Sequence, residues 1–255
     1  MLTYSFKAGG SKNTFNVDDV GYASAAAAGL SGGTITPSAA SVGTQQGFSI
    51  IKWTDANGVQ SLPHGLSQAP DFILIKDLGA SVNWYAYHSS MGNAYAMYLN
   101  NTAKEFSTSR WDTTTPTSSV FYWYDNTSTN SQIAYCWHNV PGLQKFGKYT
   151  GSGSDDGTFV ELGFRPAIVI VKCTSDTGQE WVIWDDERSK YNENTTALYV
   201  NSVNDESTIG TSRKIDFLSN GFKMRNGSSG ATDYDGRTYI YAAWASSPLK
   251  YSNAR

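Results

Sequence analysis

Two short apolar stretches decide the fold: Phe72-Ile-Leu-Ile-Lys76 and Ile168-Val-Ile-Val-Lys172. Each begins two residues after a proline, Pro70 or Pro166, and each ends in a lysine. A short run of successive large apolar residues predicts a central β-strand that is covered on both faces. The two stretches lie 96 positions apart, which indicates that one structural element occurs twice in the chain as an internal repeat.

The similarity extends well beyond these two strands. The same offset of 96 carries Lys52-Trp53-Thr54 onto Lys148-Tyr149-Thr150. Further along the chain the offset grows to 107, between Trp137 and Trp244, as expected where insertions fall in loops. Because order, spacing and residue type all agree, the sequence predicts an internal duplication of a unit of about 100 residues.

The composition favours β-structure. Aromatic residues make up 14% of the chain and charged residues only 16%. Aromatic and β-branched residues suit pleated, half-buried surfaces, whereas the many Gly, Asn and Asp residues suit turns. Each copy contains six or seven short predicted strands and is long enough to bury its own core. We therefore predict an all-β fold of two tandem, internally repeated β-sandwich or jelly-roll-like domains, at residues 47–140 and 141–255.

Residues 1–46 lie outside the duplication. Asp18 and Asp19 precede a small alanine-rich stretch, Ala25–Ala28, which favours one or two helical turns with acidic residues at the N-terminal end. An element this short is not stable by itself in water. We expect residues 1–46 to form an extended N-terminal arm or linker, which is either flexible or docked on another surface.

The charge and hydropathy exclude several classes of protein. The net charge is −3 and the sequence pI is about 5.6, whereas a protein that binds nucleic acid needs a clustered basic surface. The sequence contains no apolar run long enough for a transmembrane helix, and its start lacks the pattern of a signal peptide. We therefore expect neither nucleic acid nor membrane insertion.

Eight short stretches stand out across the repeated region: Gly47–Thr54, His64–Leu66, Ala69–Ile73, Ile133–Cys136, Phe146–Gly151, Gly163–Pro166, Phe217–Lys223 and Tyr239–Tyr241. Together they resemble a repeated β-module of tailed-bacteriophage virion proteins, many of which are large tail-fibre-like proteins of marine and cyanobacterial phages. The resemblance covers about residues 47–250. The family carries no established catalytic motif, so no catalytic residue is carried over.

The resemblance implies a non-enzymatic structural component of a bacteriophage virion, a tail-fibre or adhesin-type subunit with a role in appendage architecture or host-surface recognition. It implies synthesis in the bacterial host cytoplasm, a place in the phage particle, and other virion proteins as partners. It also implies a homo-oligomer, a trimer by likeness to tail fibres, with residues 1–46 as an inter-subunit or virion-docking segment. A capsid decoration or head-fibre protein is the alternative within the virion.

Comparison of the two copies separates core positions from surface positions. In the predicted strand 120–124, Phe121 and Trp123 match apolar residues of the second copy. Tyr122 and Tyr124 match a lysine and an arginine, which are rarely buried without a partner. We therefore expect both tyrosines to point outward and to form an aromatic platform for a host-surface glycan or another subunit. The alternative is that they pack beneath a loop or a neighbouring domain.

The histidines and cysteines do not suggest a catalytic or metal site. His64, His88 and His138 occur only in the first copy, match no zinc motif, and are interpreted as a chance trio of surface or strand-end residues. Cys136 and Cys173 lie in apolar strands, which predicts two buried free thiols.

Three acidic turns keep a structural Ca²⁺ ion as an alternative. Asp155–Gly157, Asp185–Glu187 and Asp233–Gly236 contain the oxygen ligands that Ca²⁺ prefers, but none completes an EF-hand loop. We assign no cofactor and no metal ligands, and keep a structural Ca²⁺ as an open alternative.

Two other functions remain open from the sequence. A soluble carbohydrate-binding module is favoured by the predicted Tyr122 and Tyr124 platform. A polysaccharide depolymerase is a weaker alternative, because no GxSxG elbow is present and no pair of carboxylates can be assigned from sequence spacing.

Overall fold

In a computed structural model, residues 5–126, 129–204 and 212–246 are described, and every regular element among them is a β-strand. Residues 1–4 of the predicted arm and 247–255 of the predicted second domain lie outside this range. The strands are β1 Phe15–Val17, β2 Val20–Tyr22, β3 Ala39–Gly43, β4 Phe48–Thr54, β5 Gly58–Pro63, β6 Phe72–Asp77, β7 Tyr85–His88, β8 Tyr95–Tyr98, β9 Phe106–Ser107, β10 Val120–Asp125, β11 Ser131–Trp137, β12 Gln144–Thr150, β13 Phe159–Glu161, β14 Pro166–Cys173, β15 Trp181–Asp185, β16 Leu198–Tyr199, β17 Ile215–Leu218, β18 Gly221–Met224 and β19 Thr238–Ala245. The all-β fold class is thereby confirmed. The described part of the chain contains no helix that could cross a membrane.

The chain divides into two compact units. The first consists of residues 1–96 and Phe106–Asn139, and the second of Met97–Glu105 and the chain from Val140 onward. The predicted boundary between residues 140 and 141 lies next to this division. The segment Met97–Glu105, which the sequence places in the first domain, belongs instead to the second unit. Its backbone explains why, since the Glu105 amide donates to the carbonyl of Thr174 over 3.1 Å.

The first unit is built around a sheet with the strand order β2-β1-β3-β4-β11-β6-β7-β8-β9, and β10 pairs with β5 in a second, smaller sheet. Both sheets contribute side chains to one core. Trp53 of β4 meets Phe121 of β10 edge to face, with ring centroids 5.9 Å apart. The alternation of buried and half-buried residues along β10 follows the two-residue period of a strand.

The second unit has a sheet with the order β12-β19-β14-β15-β16 and a smaller sheet with the order β13-β18-β17. Its core again draws on both sheets. Phe222 of β18 lies edge to face against Tyr241 of β19, with ring centroids 5.5 Å apart. The predicted central strand of this unit, β14, is flanked on both sides by antiparallel partners, β19 and β15.

The lysine that ends each apolar stretch holds the loop that follows its strand. Lys76 Nζ donates to the carbonyls of Ala80 and Val82, over 2.9 and 2.8 Å. Lys172 Nζ donates to the carbonyl of Gln179 in the loop between β14 and β15. The charged end of each run therefore has a local structural role in fixing a loop.

Residues 5–46 are docked on the first unit, which is one of the two alternatives that the sequence leaves open, and do not form a flexible arm. β3 pairs with β4 along its whole length, and β1 pairs with β3, so this segment continues the main sheet of the first unit. Phe15, Leu30 and Val42 are buried in the core of that unit. The physical reason is that β4 offers an edge of backbone donors and acceptors, which a strand with few large side chains can pair with.

The alanine-rich stretch forms hydrogen-bonded turns rather than a helix. The amide of Ala28 donates to the carbonyl of Ser24 over 3.1 Å, and the Ser24 hydroxyl accepts from the amide of Ala27. Gly29 then has a positive φ of 74°, a conformation that a glycine adopts without strain. The chain therefore leaves the helical conformation after one turn, and Ala25 and Leu30 pack into the core.

Candidate functional site

The predicted tyrosine platform lies on the outer face of β10. Phe121 and Trp123 are buried, whereas Tyr122 and Tyr124 are half-buried. Across the strand pair, Tyr122 lies opposite Ser61 and Tyr124 opposite Val59. Their role in binding stays a prediction.

The inner face of the same strand borders a partly open cavity within the first unit. This cavity has a volume of about 170 Å³ and lies between β6, β10, β11 and the loop from β6 to β7. Its lining combines ionisable, amide and aromatic side chains, among them Asp77, Arg110, Trp123, Asp125 and Gln132. None of these five was identified as a site residue from the sequence.

Arg110 forms one wall of the cavity. Its guanidinium pairs with the Asp125 carboxylate over 2.9 Å and donates to the carbonyl of Tyr124 over 3.1 Å. The same group lies over the rings of Tyr85 and Trp123, 5.2 and 5.4 Å from their centroids. Burial alone lowers the pKa of Arg110, but hydrogen bonding to Asp125 and the charge interactions with Tyr85 and Asp125 outweigh it, so the pKa is raised. The cation is thus fixed in place by a carboxylate and two aromatic faces.

Asp77, at the end of β6, also lines the cavity. Its carboxylate accepts hydrogen bonds from the amide of Gly79 over 2.8 Å and from Asn130 Nδ2 over 3.1 and 3.2 Å. These contacts are of the kind that a carboxylate makes at the start of a turn. They also occupy acceptor positions of Asp77, which leaves less of the carboxylate for a cation.

Gln132 of β11 lies next to Asp77 across the sheet. It is paired with Trp53 of β4 on one side and with Asp77 of β6 on the other, and these three cross-strand neighbours form one row of the sheet. The side chain is only 1% exposed and lines the cavity. Neither its amide oxygen nor its amide nitrogen has a hydrogen-bond partner among the described residues. A buried amide without partners is destabilising, by about 1–3 kcal/mol for each unsatisfied group.

The corresponding row of the second unit is filled by aromatic rings and a cysteine. There Tyr239 of β19 pairs with Tyr149 and with Cys173, at the positions that Gln132, Trp53 and Asp77 occupy in the first unit. The two tyrosine rings are stacked, with centroids 5.0 Å apart. The Tyr239 hydroxyl donates to the carbonyl of Gly230 and accepts from the amide of Tyr234, so its polar atom is satisfied. The two rows therefore differ: the first unit has the unpartnered amide of Gln132 where the second unit has the satisfied hydroxyl of Tyr239.

The three histidines are at strand ends, as predicted, but they are buried rather than at the surface. Their exposed fractions are 0% for His64, 1% for His88 and 2% for His138. His64 accepts from the amide of Leu66 at Nδ1 and donates from Nε2 to the carbonyl of Thr117, both over 3.1 Å. Burial lowers the pKa of His64 to about 4. The ring thus serves as a neutral connector between two loops.

The acidic turns are linked to groups of the protein itself. Asp156 pairs with Lys223 and Arg225, each over 2.6 Å. The buried Asp233 accepts four hydrogen bonds, from the amide and hydroxyl groups of Ser152 and Thr158. In the described part of the chain, no cluster of three or more His, Cys, Asp or Glu side chains is placed to hold a metal ion.

Both cysteines are buried free thiols, as predicted. Burial raises the pKa of the Cys136 thiol. A thiol needs an accessible, electropositive setting to become nucleophilic. Cys136 therefore has a packing role, as expected from its match to a small alanine in the second copy.

A second aromatic surface lies on the other face of the main sheet of the first unit. Trp137 stacks on Phe48 with centroids 4.7 Å apart, and Trp84 stacks on Tyr135 at 6.2 Å. These rings line a shallow apolar recess that also includes Phe6, at the start of the described chain. Trp84 is half-buried, although its match to the buried Trp181 suggests a core position.

Comparison with known protein families gives one match. The model of a domain of unknown function, DUF7483, matches residues 10–248. No curated protein and no solved structure shows significant similarity to the chain. The matched region includes both units and the polar cavity of the first.

Proposed function

We propose that this chain, which belongs to the DUF7483 family, is a non-enzymatic structural component of a bacteriophage virion, of the tail-fibre or adhesin type. The observation that carries the proposal is the series of stretches from Gly47–Thr54 to Tyr239–Tyr241, which resembles modules of tailed-phage virion proteins. In this role the chain contributes a rigid β-structured platform to an appendage. Its partners are other virion proteins and further copies of itself.

Part of the proposal is that one β-sandwich occurs twice in the chain, and the strand order supports it. The strand order β4-β11-β6-β7-β8 has the same pattern as β12-β19-β14-β15-β16. The register agrees as well, because Lys76 lies opposite Ile133 in the first sheet and Lys172 opposite Ile240 in the second. In the smaller sheets, β10 pairs with β5 as β18 pairs with β13.

The chemistry of the described side chains favours a non-enzymatic role. His64 has both ring nitrogens in hydrogen bonds to backbone groups, and Cys136 is a buried thiol with a raised pKa. Asp233 is fully engaged by Ser152 and Thr158. A general base or nucleophile must reach a substrate, and these three groups face the protein instead.

The direct test is the location of the chain in particles. An antibody raised against the purified protein is used for gold labelling of intact phage, and its copy number is measured by quantitative mass spectrometry of purified particles. Label on a tail or fibre supports the proposal, and label spread over the capsid supports the decoration or head-fibre alternative. Purified particles that lack the polypeptide would refute a virion role.

A soluble carbohydrate-binding module is the second candidate, and the outward position of Tyr122 and Tyr124 favours it. Exposed aromatic rings stack on the apolar faces of sugars. A glycan array probed with the monomer tests this function, with the double variant Tyr122→Ala and Tyr124→Ala as control. Binding by the wild type that the double variant loses supports the module, and the absence of any bound glycan contradicts it. Release of reducing ends from host capsule would revive the weaker depolymerase alternative.

A further inference from the structure

We propose that the partly open cavity of the first unit, lined by Asp77, Arg110, Trp123, Asp125 and Gln132, binds one neutral sugar residue. This site is separate from the tyrosine platform, because it lies on the inner side of β10. The inference depends only on the geometry of the first unit. It holds whether or not the chain is part of a virion.

The first reason is that Gln132, a residue that lines the cavity, has an amide without a hydrogen-bond partner among the described residues. Gln132 is 1% exposed, lines the cavity, and has both amide atoms without a partner among the described residues. A protein tolerates such a group where a ligand or water completes its hydrogen bonds. An amide presents one acceptor and two donors side by side, which matches two neighbouring hydroxyl groups of a sugar.

The second reason is charge, which selects a neutral ligand. Asp125 is neutralised by Arg110 at 2.9 Å, so Asp77 gives the lining a net negative charge that disfavours an anion. A cation is disfavoured in turn, because the Asp77 carboxylate already accepts hydrogen bonds from Gly79 and Asn130. A polyhydroxylated neutral molecule can donate to the carboxylates and accept from the amide without either penalty.

The third reason is shape. Tyr85, Trp123 and Ile75 supply apolar surface, while the polar groups converge from the other sides, as in sites that bind small molecules. The volume of about 170 Å³ is below that of most pockets for drug-sized ligands, and it suits a single sugar ring. The loop from β6 to β7 forms the rim, where Val82 is 49% exposed.

The fourth reason is the contrast between the two units. The second unit fills the same row with Tyr149, Tyr239 and Cys173, and the Tyr239 hydroxyl is satisfied by backbone groups. Stacked rings with a satisfied hydroxyl are therefore compatible with this strand arrangement. The first unit instead has a polar row at the corresponding place, beside a cavity, which is expected of a position selected for binding rather than for stability.

The test is isothermal titration of the full chain with glucose, galactose, mannose and N-acetylglucosamine, with calcium chloride and sodium phosphate as ionic probes. We expect one of the four sugars to bind with one site per chain, and to raise the unfolding temperature. Binding of calcium or phosphate at this cavity in place of a sugar would overturn the proposal. Failure of all four sugars to bind would overturn it too.

The decisive variant is Gln132→Met, which keeps an unbranched side chain of similar length and removes the amide. We expect sugar binding to weaken by about tenfold or more, because two hydrogen bonds are lost. The unfolding temperature of the free protein should stay the same or rise, since the unsatisfied amide is gone. If Gln132→Met fails to fold, titration of Asn130→Ala, at the rim of the cavity, replaces it and should show the same loss.

Gln144→Met is the matched control. Gln144 is also a glutamine on a buried strand position, 3% exposed, but it belongs to β12 of the second unit. It should leave the affinity for the sugar unchanged. Sugar binding that survives Gln132→Met, or that Gln144→Met abolishes, would show that the site is elsewhere. Binding that only Tyr122→Ala abolishes would place it on the outer face of β10.

Discussion

Acid should weaken the first unit through a single histidine. His64 is completely buried and neutral, with Nδ1 accepting from the amide of Leu66 and Nε2 donating to the carbonyl of Thr117. Protonation at Nδ1 would break the bond to Leu66 and leave a charge in the core. Burial is the main reason that the pKa of His64 falls from 6.5 to about 4, while the bond to Thr117 acts in the opposite direction and the charge of His138 adds to the fall.

The size and sign of the effect follow from this shift. Between about pH 6.5 and pH 4 the unfolded chain holds a proton on His64 that the folded chain does not, so the free energy of unfolding decreases as the pH falls. Each unit of pKa shift corresponds to about 1.4 kcal/mol, so the loss by pH 4 is about 3 kcal/mol. Below about pH 4 the folded protein is protonated too, and this contribution stops changing.

The matched variant is His64→Asn. The amide oxygen of asparagine can replace Nδ1 as acceptor for Leu66, but the side chain does not titrate. At neutral pH the variant should be less stable by about 1 kcal/mol, because the bond to Thr117 is lost. Urea unfolding of both proteins is followed by tryptophan fluorescence across the pH range from neutral to about 4. The wild type should have the larger free energy of unfolding at neutral pH, and the variant should have the larger one near pH 4.

One result would refute this reasoning. If the difference in free energy of unfolding between wild type and His64→Asn stayed constant across the pH range, His64 would have the same pKa in the folded and unfolded states. Other titrating groups are common to both proteins, so they cancel from this difference.

Three further predictions concern the second unit. Burial lowers the pKa of Lys172 to about 8, so the free energy of unfolding should rise between about pH 8 and pH 10.5, and Lys172→Met should remove that rise in urea titrations. Asp233→Ala should destabilise the unit by about 3–5 kcal/mol, because four donors of Ser152 and Thr158 lose their acceptor. Asp233→Asn should destabilise it less. A change below about 1 kcal/mol in the free energy of unfolding, measured by thermal unfolding, would contradict this prediction. Chelation with EDTA should leave the melting temperature unchanged, since Asp156 and Asp233 are engaged by protein groups; a clear fall would establish a structural Ca²⁺.

The central strands could be predicted because their own side chains specify them. β6 and β14 are apolar at nearly every position, and the matching lysines give their register. β1, β2 and β3 were not predicted, because they are only three to five residues long and too short to show a clear alternation of apolar and polar residues. They form where β3 pairs with β4, β1 pairs with β3 and β2 pairs with β1.

Only part of the candidate cavity could be predicted from the sequence. Gln132 reads as an ordinary position of an alternating strand, and nothing local shows that its amide lacks a partner. The signal that was available is the comparison of copies, in which Gln132 and Asp77 stand where the second copy has Tyr239 and Cys173. A polar residue in one copy opposite a core residue in the other marks a position worth testing. Arg110 lies in a loop without such a match, and only the fold brings it to Trp123.

The assignment of Met97–Glu105 to the second unit has a practical consequence for dissecting the protein. The carbonyl of Tyr98 accepts from Trp181 Nε1 over 2.9 Å, and the carbonyl of Thr102 accepts from the buried ammonium of Lys172 over 3.3 Å. A recombinant fragment that starts at Val140 would lose both acceptors. It would expose an apolar indole and leave a buried charge with fewer ligands. The two halves of the gene are therefore not interchangeable cassettes, even though they encode strands in the same order.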